Sequence, residues 1–170
     1  MIKFEKVSLK EWLNWFTNSG KQHFSEEFLT RVWGSIKLPK RSTEWSAGYD
    51  FFAPFDMDVV SEWQTFPTGI RFVTDNPNVC LVLVPRSGLG FKHNLKLANT
   101  VGLIDADYQF SENEGHIAVR INAQNYTAIS SGKAFAQGII LFYLKTDDDE
   151  TDGKRNGGFG STDKEKGHVQ

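Results

Sequence analysis

Short apolar runs separated by Gly, Pro and Asn fill the chain after Lys37, and they constrain the fold more than any other feature. The runs are four to six residues long and lie at residues 49–52, 69–73, 79–84, 100–104, 116–121 and 139–144. Runs of this length and spacing are typical of an all-β sandwich, jelly roll or barrel. The sequence therefore predicts an all-β domain.

Composition narrows the class of protein further. The 170 residues suffice for one domain with a real core, and 19 basic against 21 acidic residues leave a net charge of −2. This near-balance argues against a nucleic-acid partner, because nucleic-acid-binding proteins usually carry a basic excess. No apolar run approaches the roughly 20 residues of a membrane span, and the start has no apolar signal segment. A single cysteine, Cys80, cannot form an internal disulfide, so we expect a cytoplasmic protein.

Two helices are predicted near the amino terminus, within residues 8–34. Ser8 followed by Glu11 forms a capping-box pattern, in which the serine caps the first helix and the glutamate bonds back to it. Ser25 is the expected N-cap of the second helix, and Gly34 suits its C′ position. These helices form a small insertion ahead of the β-rich part of the chain.

The last part of the chain has a different composition. From residue 145 to residue 170 it is polar and rich in glycine, so it cannot bury enough apolar surface to order itself. We therefore predict a single domain over residues 1–144, followed by a flexible arm over residues 145–170.

Residues 85–90, Pro-Arg-Ser-Gly-Leu-Gly, directly follow an apolar run. A strand that ends in this way can present the Arg86 guanidinium, the Ser87 hydroxyl and backbone N–H groups to an anion. The alternative is a plain connection from strand to loop, with a solvated arginine.

Residues 102–108, Gly-Leu-Ile-Asp-Ala-Asp-Tyr, carry two carboxylates. If the backbone is extended, Asp105 and Asp107 lie on one face, where they could provide a general base or hold a metal. The alternative is an acidic turn at the end of a strand.

Residues 155–162 place three glycines around Phe159 and end in two hydroxyl side chains. This composition suits a flexible flap whose aromatic ring stacks on a planar ligand while N–H and hydroxyl groups hold phosphate. The alternative is a disordered tail that contains an incidental phenylalanine.

Taken in order, five segments resemble the five motifs of the trimeric dUTP diphosphatases, or dUTPases. The resemblance covers roughly residues 36–162, and the ordered set of five is far more specific than any one motif. The matching segments are residues 47–50, 85–90, 102–108, 132–137 and 155–162.

This resemblance implies a β-rich jelly-roll subunit of the β-clip type and a homotrimer with active sites at the subunit interfaces. It also implies Mg²⁺-dependent hydrolysis of dUTP to dUMP and pyrophosphate, which limits uracil in DNA and supplies dUMP.

The resemblance further implies roles for individual residues. Asp105 would be the general base, Asp50 would bind Mg²⁺ through water, Asn99 would hydrogen-bond the uracil edge, and Tyr108 would pack on the deoxyribose. Four residues would hold phosphate oxygens, namely Arg86, Ser87, Gly88 and Gln137. In the arm, Phe159 would cover the uracil, and the terminal phosphates would meet Arg155, Gly160, Ser161 and Thr162.

Four departures from the family pattern stand out. Ala134 replaces a common arginine, Asp163 replaces a common glycine, residues 109–114 lengthen a turn, and the helices of residues 8–34 are additional. We expect those helices to pack on the outside of the barrel. Two other functions are compatible with the sequence: a dCTP deaminase of the same fold, and a nucleotide-responsive interaction protein that uses the helices as a contact surface.

Overall fold

The computed structural model describes residues 1–18, 24–151 and 153. In this part of the chain, twelve strands and three helices follow one another, with one 3₁₀ helix, Ala106–Phe110. The α-helices are α1 (Leu9–Asn18), α2 (Glu26–Ser35) and α3 (Ser87–His93). The strands are β1 (Ile2–Lys6), β2 (Lys40–Arg41), β3 (Tyr49–Phe52), β4 (Met57–Val59), β5 (Gln64–Pro67), β6 (Ile70–Thr74), β7 (Val79–Pro85), β8 (Lys96–Leu97), β9 (Gly102–Asp105), β10 (Ala118–Asn122), β11 (Thr127–Ile129) and β12 (Ala134–Phe142).

All strand pairings are antiparallel, and the largest sheet has the order β2-β3-β12-β7-β9. Smaller sheets pair β5-β10-β8, β1-β6 and β4-β11. The prediction of an all-β domain is thereby confirmed for the chain after the two N-terminal helices.

Alternation along the strands gives the large sheet one inner and one outer face. On the inner face, Phe51, Leu81, Leu83 and Ile104 are each at most 3% exposed and form part of a continuous core. The outer face is available for contacts beyond this core.

The two predicted helices are present, and their caps are partly as expected. The Ser8 and Ser25 hydroxyls accept hydrogen bonds from the backbone N–H of Glu11 (3.1 Å) and Phe28 (3.2 Å). Gly34 is not at the C′ position, because α2 continues to Ser35 and ends with Ile36 as its C-cap.

The helices pack on the domain through aromatic side chains. Trp12 is fully buried, and its indole N–H donates to the Leu29 carbonyl (3.0 Å), which ties α1 to α2. Leu29 and Val32 of α2 are buried in the same core, whereas Glu26 and Glu27 face outward. This arrangement agrees with the expectation that the insertion packs on the barrel.

Several elements differ from the sequence-based expectation. The last predicted strand begins earlier, at Ala134, because its apolar alternation continues through the fourth motif. Five short strands escaped prediction, since two to four residues carry too little alternation to be recognised; they are β2, β4, β5, β8 and β11. Residues 145–151 and 153 form no helix or strand, and the rest of the predicted arm lies outside the described residues. Within the described part of the chain, no helix has the length and apolarity that crossing a membrane requires.

Candidate functional site

Three of the sequence motifs meet at one end of the large sheet, in a group that we call the polar corner (Gly48, Asp50, Arg86 and Gln137). Gln137 of β12 lies opposite Asp50 of β3 on one side and opposite Val84 of β7 on the other. Directly paired residues of antiparallel strands project to the same face. The register therefore places the Asp50 and Gln137 side chains together on the outer face.

Arg86 completes the polar corner just after the end of β7. Its Nε lies 3.4 Å from Asp50 Oδ1, and its backbone N–H donates to the Phe135 carbonyl (3.3 Å). The Asp50 side chain is 15% exposed and that of Arg86 is 44% exposed. The guanidinium thus remains accessible to an anion from the solvent side, while the carboxylate behind it is largely enclosed.

Gly48 leaves the space that the Gln137 side chain occupies. A Cβ atom built at Gly48 would lie 2.6 Å from Gln137 Oε1 and 3.4 Å from Gln137 Cδ, so a side chain there would push the amide away. The sequence contained this glycine within the first motif, but only the structure reveals that its side-chain neighbour is Gln137.

The segment that follows Arg86 is a short helix and not a plain connection from strand to loop. Helix α3 begins at Ser87, and the amides of Leu89 and Gly90 donate to the Arg86 carbonyl at 3.0 and 2.9 Å. Nothing lies within 4 Å of a Cβ built at Gly88. Internal packing therefore does not require a glycine at this position, and the surface beside it is open to a ligand.

Asn99 lines an apolar cavity of about 300 Å³, a volume at the lower limit of small-molecule sites. The tight turn before β9 shapes this cavity: Thr100 has φ +62°, which is rare for a β-branched residue, and the Val101 N–H donates to the Asn99 carbonyl. A Cβ at Gly102 would lie 3.2 Å from Leu83 Cβ. Other residues that line the cavity are Thr65, Leu97, Ile104, Val119 and Arg120.

Asp105 ends β9 and lies opposite Cys80, near the start of β7. Asp105 and Asp107 were expected to share one face if the backbone were extended, but the backbone turns into the 3₁₀ helix immediately after Asp105. Both carboxylates instead border a cleft of about 690 Å³ that also includes Phe110, Tyr143 and Lys145.

Tyr108 lies in the core. Its ring is 2% exposed, its hydroxyl donates to the His116 carbonyl (3.1 Å), and the Asn113 side-chain amide donates to that hydroxyl (2.8 Å). Packing and two hydrogen bonds within the chain thus fix the position of the ring. A contact between Tyr108 and a deoxyribose stays a prediction.

Cys80 is 7% exposed, so its thiol is buried. Burial raises the pKa of this thiol, and the neighbouring negative charge of Asp105 raises it further. A raised pKa keeps the thiol protonated and unreactive. The described residues also contain no cluster of three or more His, Cys, Asp or Glu that could hold a metal ion.

The polar corner and Asp105 lie at opposite ends of β7. Arg86 follows Pro85, the last residue of the strand, whereas Asp105 pairs with Cys80. Six residues of extended chain span about 20 Å, at about 3.3 Å per residue. The structure therefore brings together Asp50, Arg86 and Gln137, but it does not bring Asp105 to them. Residues 155–162 of the fifth motif lie outside the described residues.

An apolar strip covers the outer face between these two ends. Val82 of β7 pairs with Ile139 of β12 and with Leu103 of β9, so all three share this face. Leu103 is 56% exposed, and Leu141, opposite Cys80, is 45% exposed. Exposed contiguous apolar surface of this kind is characteristic of interaction sites.

Comparison with known proteins agrees with this architecture. Residues 34–163 match the family model described as dUTPase. The deoxyuridine 5′-triphosphate nucleotidohydrolase of Tolumonas auensis is 38% identical over 142 residues, covering 78% of this chain and 91% of the relative. The relative of the same name from Lactococcus lactis is 39% identical over 135 residues, covering 75% and 88%.

Solved structures give the same result for the fold. The crystal structure of the dUTPase from Streptococcus mutans superposes with a TM-score of 0.62 at 26% identity and covers 85% of this chain and 98% of that one. A dUTPase from phage phi11 of S. aureus has a TM-score of 0.59 at 15% identity. The predicted jelly-roll-like fold is confirmed. From its matching residues and its fold, the chain belongs to the dUTPase family.

Proposed function

We propose that the protein hydrolyses dUTP to dUMP and pyrophosphate, which limits uracil in DNA and supplies dUMP. Family membership supports this activity. The observation that carries the proposal is the polar corner, where strand register holds Arg86 and Gln137 on the same outer face as Asp105. The balanced charge and the single buried cysteine favour a cytoplasmic enzyme that acts on free nucleotides rather than on nucleic acid.

Asp105 is the proposed general base. A carboxylate within hydrogen-bond reach of a water can accept its proton as the water attacks the α-phosphorus, which contributes about 10²–10⁴ in rate. The residue lies at the border of a cleft, where substrate and water can approach it. Its negative charge also acts on the Cys80 thiol, the group opposite it on β7.

The polar corner is the proposed phosphate site. The Arg86 guanidinium can form charge-assisted hydrogen bonds with phosphate oxygens, and the Gln137 amide can donate a further bond. Ser87 and Gly88 follow on α3, and the open space beside Gly88 lets a phosphate approach the backbone.

Mg²⁺ is the proposed cofactor, and the described residues fit an ion held mainly by the substrate. Mg²⁺ retains several waters and commonly binds one or two carboxylates together with phosphates. The described residues offer no multi-carboxylate cage, and Asp50 is the carboxylate at the phosphate site. Asp50 would hold the ion through water, and the bound ion would neutralise charge on the triphosphate.

The Asn99 cavity is the proposed uracil site. Its apolar walls suit the faces of a nucleobase, and the Asn99 amide can bond to one base edge. A site built to bond one edge rejects the wrong edge by roughly 10⁴, which would exclude dCTP. Tyr108 is proposed to approach the deoxyribose from the segment that follows Asp105.

A homotrimer with shared active sites accounts for the separation of Arg86 from Asp105 along β7. Within one chain about 20 Å of strand separates Arg86 from Asp105, which is farther than the spacing of the neighbouring phosphate groups that the two residues are proposed to serve. If the apolar strip packs against another copy, the Asp105 end of one subunit can approach the polar corner of its neighbour. The arm residues Arg155, Phe159, Gly160, Ser161 and Thr162 are proposed to close over the nucleotide.

Pyrophosphate release tests the proposed reaction. The purified protein is incubated with Mg²⁺ and, separately, with dUTP and each of the four standard deoxynucleotides. We expect release from dUTP alone. Ammonia release from dCTP without pyrophosphate from dUTP would indicate a dCTP deaminase. Nucleotide binding without turnover would favour an interaction protein.

Subunit mixing tests the shared site. The Asp105→Asn and Arg86→Ala variants are each expected to be inactive, since every site then lacks either the proposed general base or the phosphate-binding arginine. If equal amounts of the variants are unfolded and refolded together, roughly a quarter of all sites combine an intact Arg86 with an intact Asp105. Restored activity in the mixture, with none in either variant refolded alone, is the expected result. Equal inactivity of the mixture would show that both residues act within one chain.

A further inference from the structure

The start of α1 is bonded to the segment that follows Asp105. Glu114 accepts two hydrogen bonds from Ser8: one from the backbone N–H to Oε2 (2.8 Å) and one from the hydroxyl to Oε1 (2.6 Å). In a capping box, a glutamate of the helix itself bonds back to the cap N–H. Here a glutamate 106 residues away takes that role.

Glu11, the expected capping-box partner, is used elsewhere. Its Oε1 lies 3.2 Å from Nδ1 of His116, and the His116 side chain is fully buried. The other ring nitrogen, Nε2, accepts a hydrogen bond from the Gly69 N–H (3.1 Å), so the bond to Glu11 is donated by Nδ1. Helix α1 therefore holds the same segment at a second point.

These two points lie at the end of a stretch of irregular backbone that begins directly after Asp105. Glu114 and Gly115 have φ of +57° and +75°, and a Cβ at Gly115 would lie 2.9 Å from the Tyr108 carbonyl oxygen. The Tyr108 hydroxyl donates to the His116 carbonyl. A displacement of Glu114 or His116 is thereby transmitted to the 3₁₀ helix directly after Asp105.

We propose that Ser8, Glu11, Glu114 and His116 are positioning residues, through which the N-terminal helices fix the orientation of the Asp105 carboxylate. The inference rests on the proposed role of Asp105 as the general base. It gives the helical insertion a part in the reaction beyond packing.

The electrostatics of Glu114 agree with this role. Burial raises the pKa of its carboxyl, but the two hydrogen bonds from Ser8 and the nearby positive charge of Arg71 outweigh that effect and leave the pKa below its usual value. The residue is therefore ionised at neutral pH, and an ionised acceptor makes the bonds from Ser8 stronger.

The first test compares two cap serines. Ser8→Ala and Ser25→Ala each remove an N-cap hydroxyl from neighbouring helices, but only Ser8 also bonds to Glu114. In Ser8→Ala we expect kcat for dUTP to fall roughly 10- to 100-fold, because small misplacements of reacting groups are costly, with KM within about twofold. Ser25→Ala should retain kcat, and Ser8→Thr, which keeps the hydroxyl, should restore it.

The second test compares two glutamates and does not depend on Ser8→Ala being folded. Glu114→Gln weakens the bonds to Ser8, whereas Glu112→Gln alters an exposed neighbour. Amide hydrogen exchange over residues 106–111 should accelerate in Glu114→Gln and remain unchanged in Glu112→Gln. Together with a lowered kcat in Glu114→Gln, that outcome supports the proposal.

Equal kcat and equal exchange in the two glutamate variants would overturn the positioning role. The wild-type protein and Asp105→Asn serve as references in the same assay. If the wild type releases no pyrophosphate, or if Asp105→Asn is as active as the wild type, the proposed function itself fails. Active wild type, inactive Asp105→Asn and normal Glu114→Gln would refute only the role of the helices.

Discussion

The two ends of β7 are built in different ways. At the polar corner, regular antiparallel register places Asp50, Gln137 and Arg86 together, and one glycine provides the space. At the other end, Asp105 is followed by a 3₁₀ helix and by a turn with two residues of positive φ, Glu114 and Gly115.

This difference shows two ways to fix a side chain. Sheet register is set by many backbone hydrogen bonds, so the loss of one side chain leaves the polar corner in place. Irregular backbone has no such ladder and depends on specific long-range bonds, here those that Ser8 donates to Glu114 and that His116 donates to Glu11. We expect the Asp105 end to respond to distant substitutions and the polar corner to respond to steric ones.

The largest expected effect is at the Asp105 end. Asp105→Asn keeps the shape of the side chain but removes its capacity to accept a proton, so kcat for dUTP should fall by roughly 10² or more. Binding of a non-hydrolysable analogue, measured by calorimetry, should remain close to that of the wild type. Asp107→Asn is the matched control and should retain turnover. Near-normal turnover in Asp105→Asn would remove it from the role of base.

A smaller effect is expected from steric change at the polar corner. Gly48→Ala places a methyl group against the Gln137 amide and should raise KM for dUTP about tenfold, as expected when a hydrogen bond to a charged group is lost. The control is Gly34→Ala, where nothing lies within 4 Å. It should stabilise α2 by about 0.5–1 kcal/mol and leave KM unchanged. An unchanged KM in Gly48→Ala would argue against a role for Gln137 in binding.

Acid should destabilise the segment that follows Asp105, because it protonates the Glu114 carboxylate. Because the folded-state pKa of this carboxyl lies below its unfolded value of 4.5, Glu114 contributes stability above that pH and loses it as the pH falls through the folded-state pKa. Thermal melts from about pH 7 to about pH 3 should show a shallower loss of Tm in Glu114→Gln than in the wild type. Parallel profiles would mean that the carboxylate does not stabilise the folded state.

The smallest effect concerns the thiol opposite Asp105. Since burial and the Asp105 charge raise the pKa of Cys80, an aromatic disulfide reagent should label it far more slowly in the native protein than in guanidinium. Asp105→Asn removes one of the two causes of the raised Cys80 pKa. It should therefore increase the rate at which the native thiol is labelled by less than about threefold, in line with a minor charge effect. A larger increase would indicate that the substitution loosens the structure around the thiol.

The sequence predicted the elements whose signals are local. The cap serines of α1 and α2 and the alternation of the longer strands were recognisable because each depends on residues within a few positions. The C-terminal end of α2 was not, since Gly34 tolerates helical backbone and the helix continues for one more residue, to Ser35.

The candidate site was predictable as a set of residues but not as an arrangement. The motifs pointed to Asp50, Arg86, Asp105 and Gln137, yet their distribution between two ends of β7 follows only from strand register. The sequence placed Asp105 and Asp107 on one face only for an extended backbone, and no local signal showed that a 3₁₀ helix begins directly after Asp105. The capping of α1 by Glu114 had no local signal, since the partners are 106 residues apart.

The distance between Arg86 and Asp105 has a consequence for the control of activity in the cell. Under the shared-site arrangement, a newly synthesised chain is inert toward nucleotides until it meets its copies, so specific activity should decline on dilution below the assembly constant. Gene dosage would then change total turnover more than proportionally at low expression. An excess of one inactive variant would silence sites built partly from normal subunits.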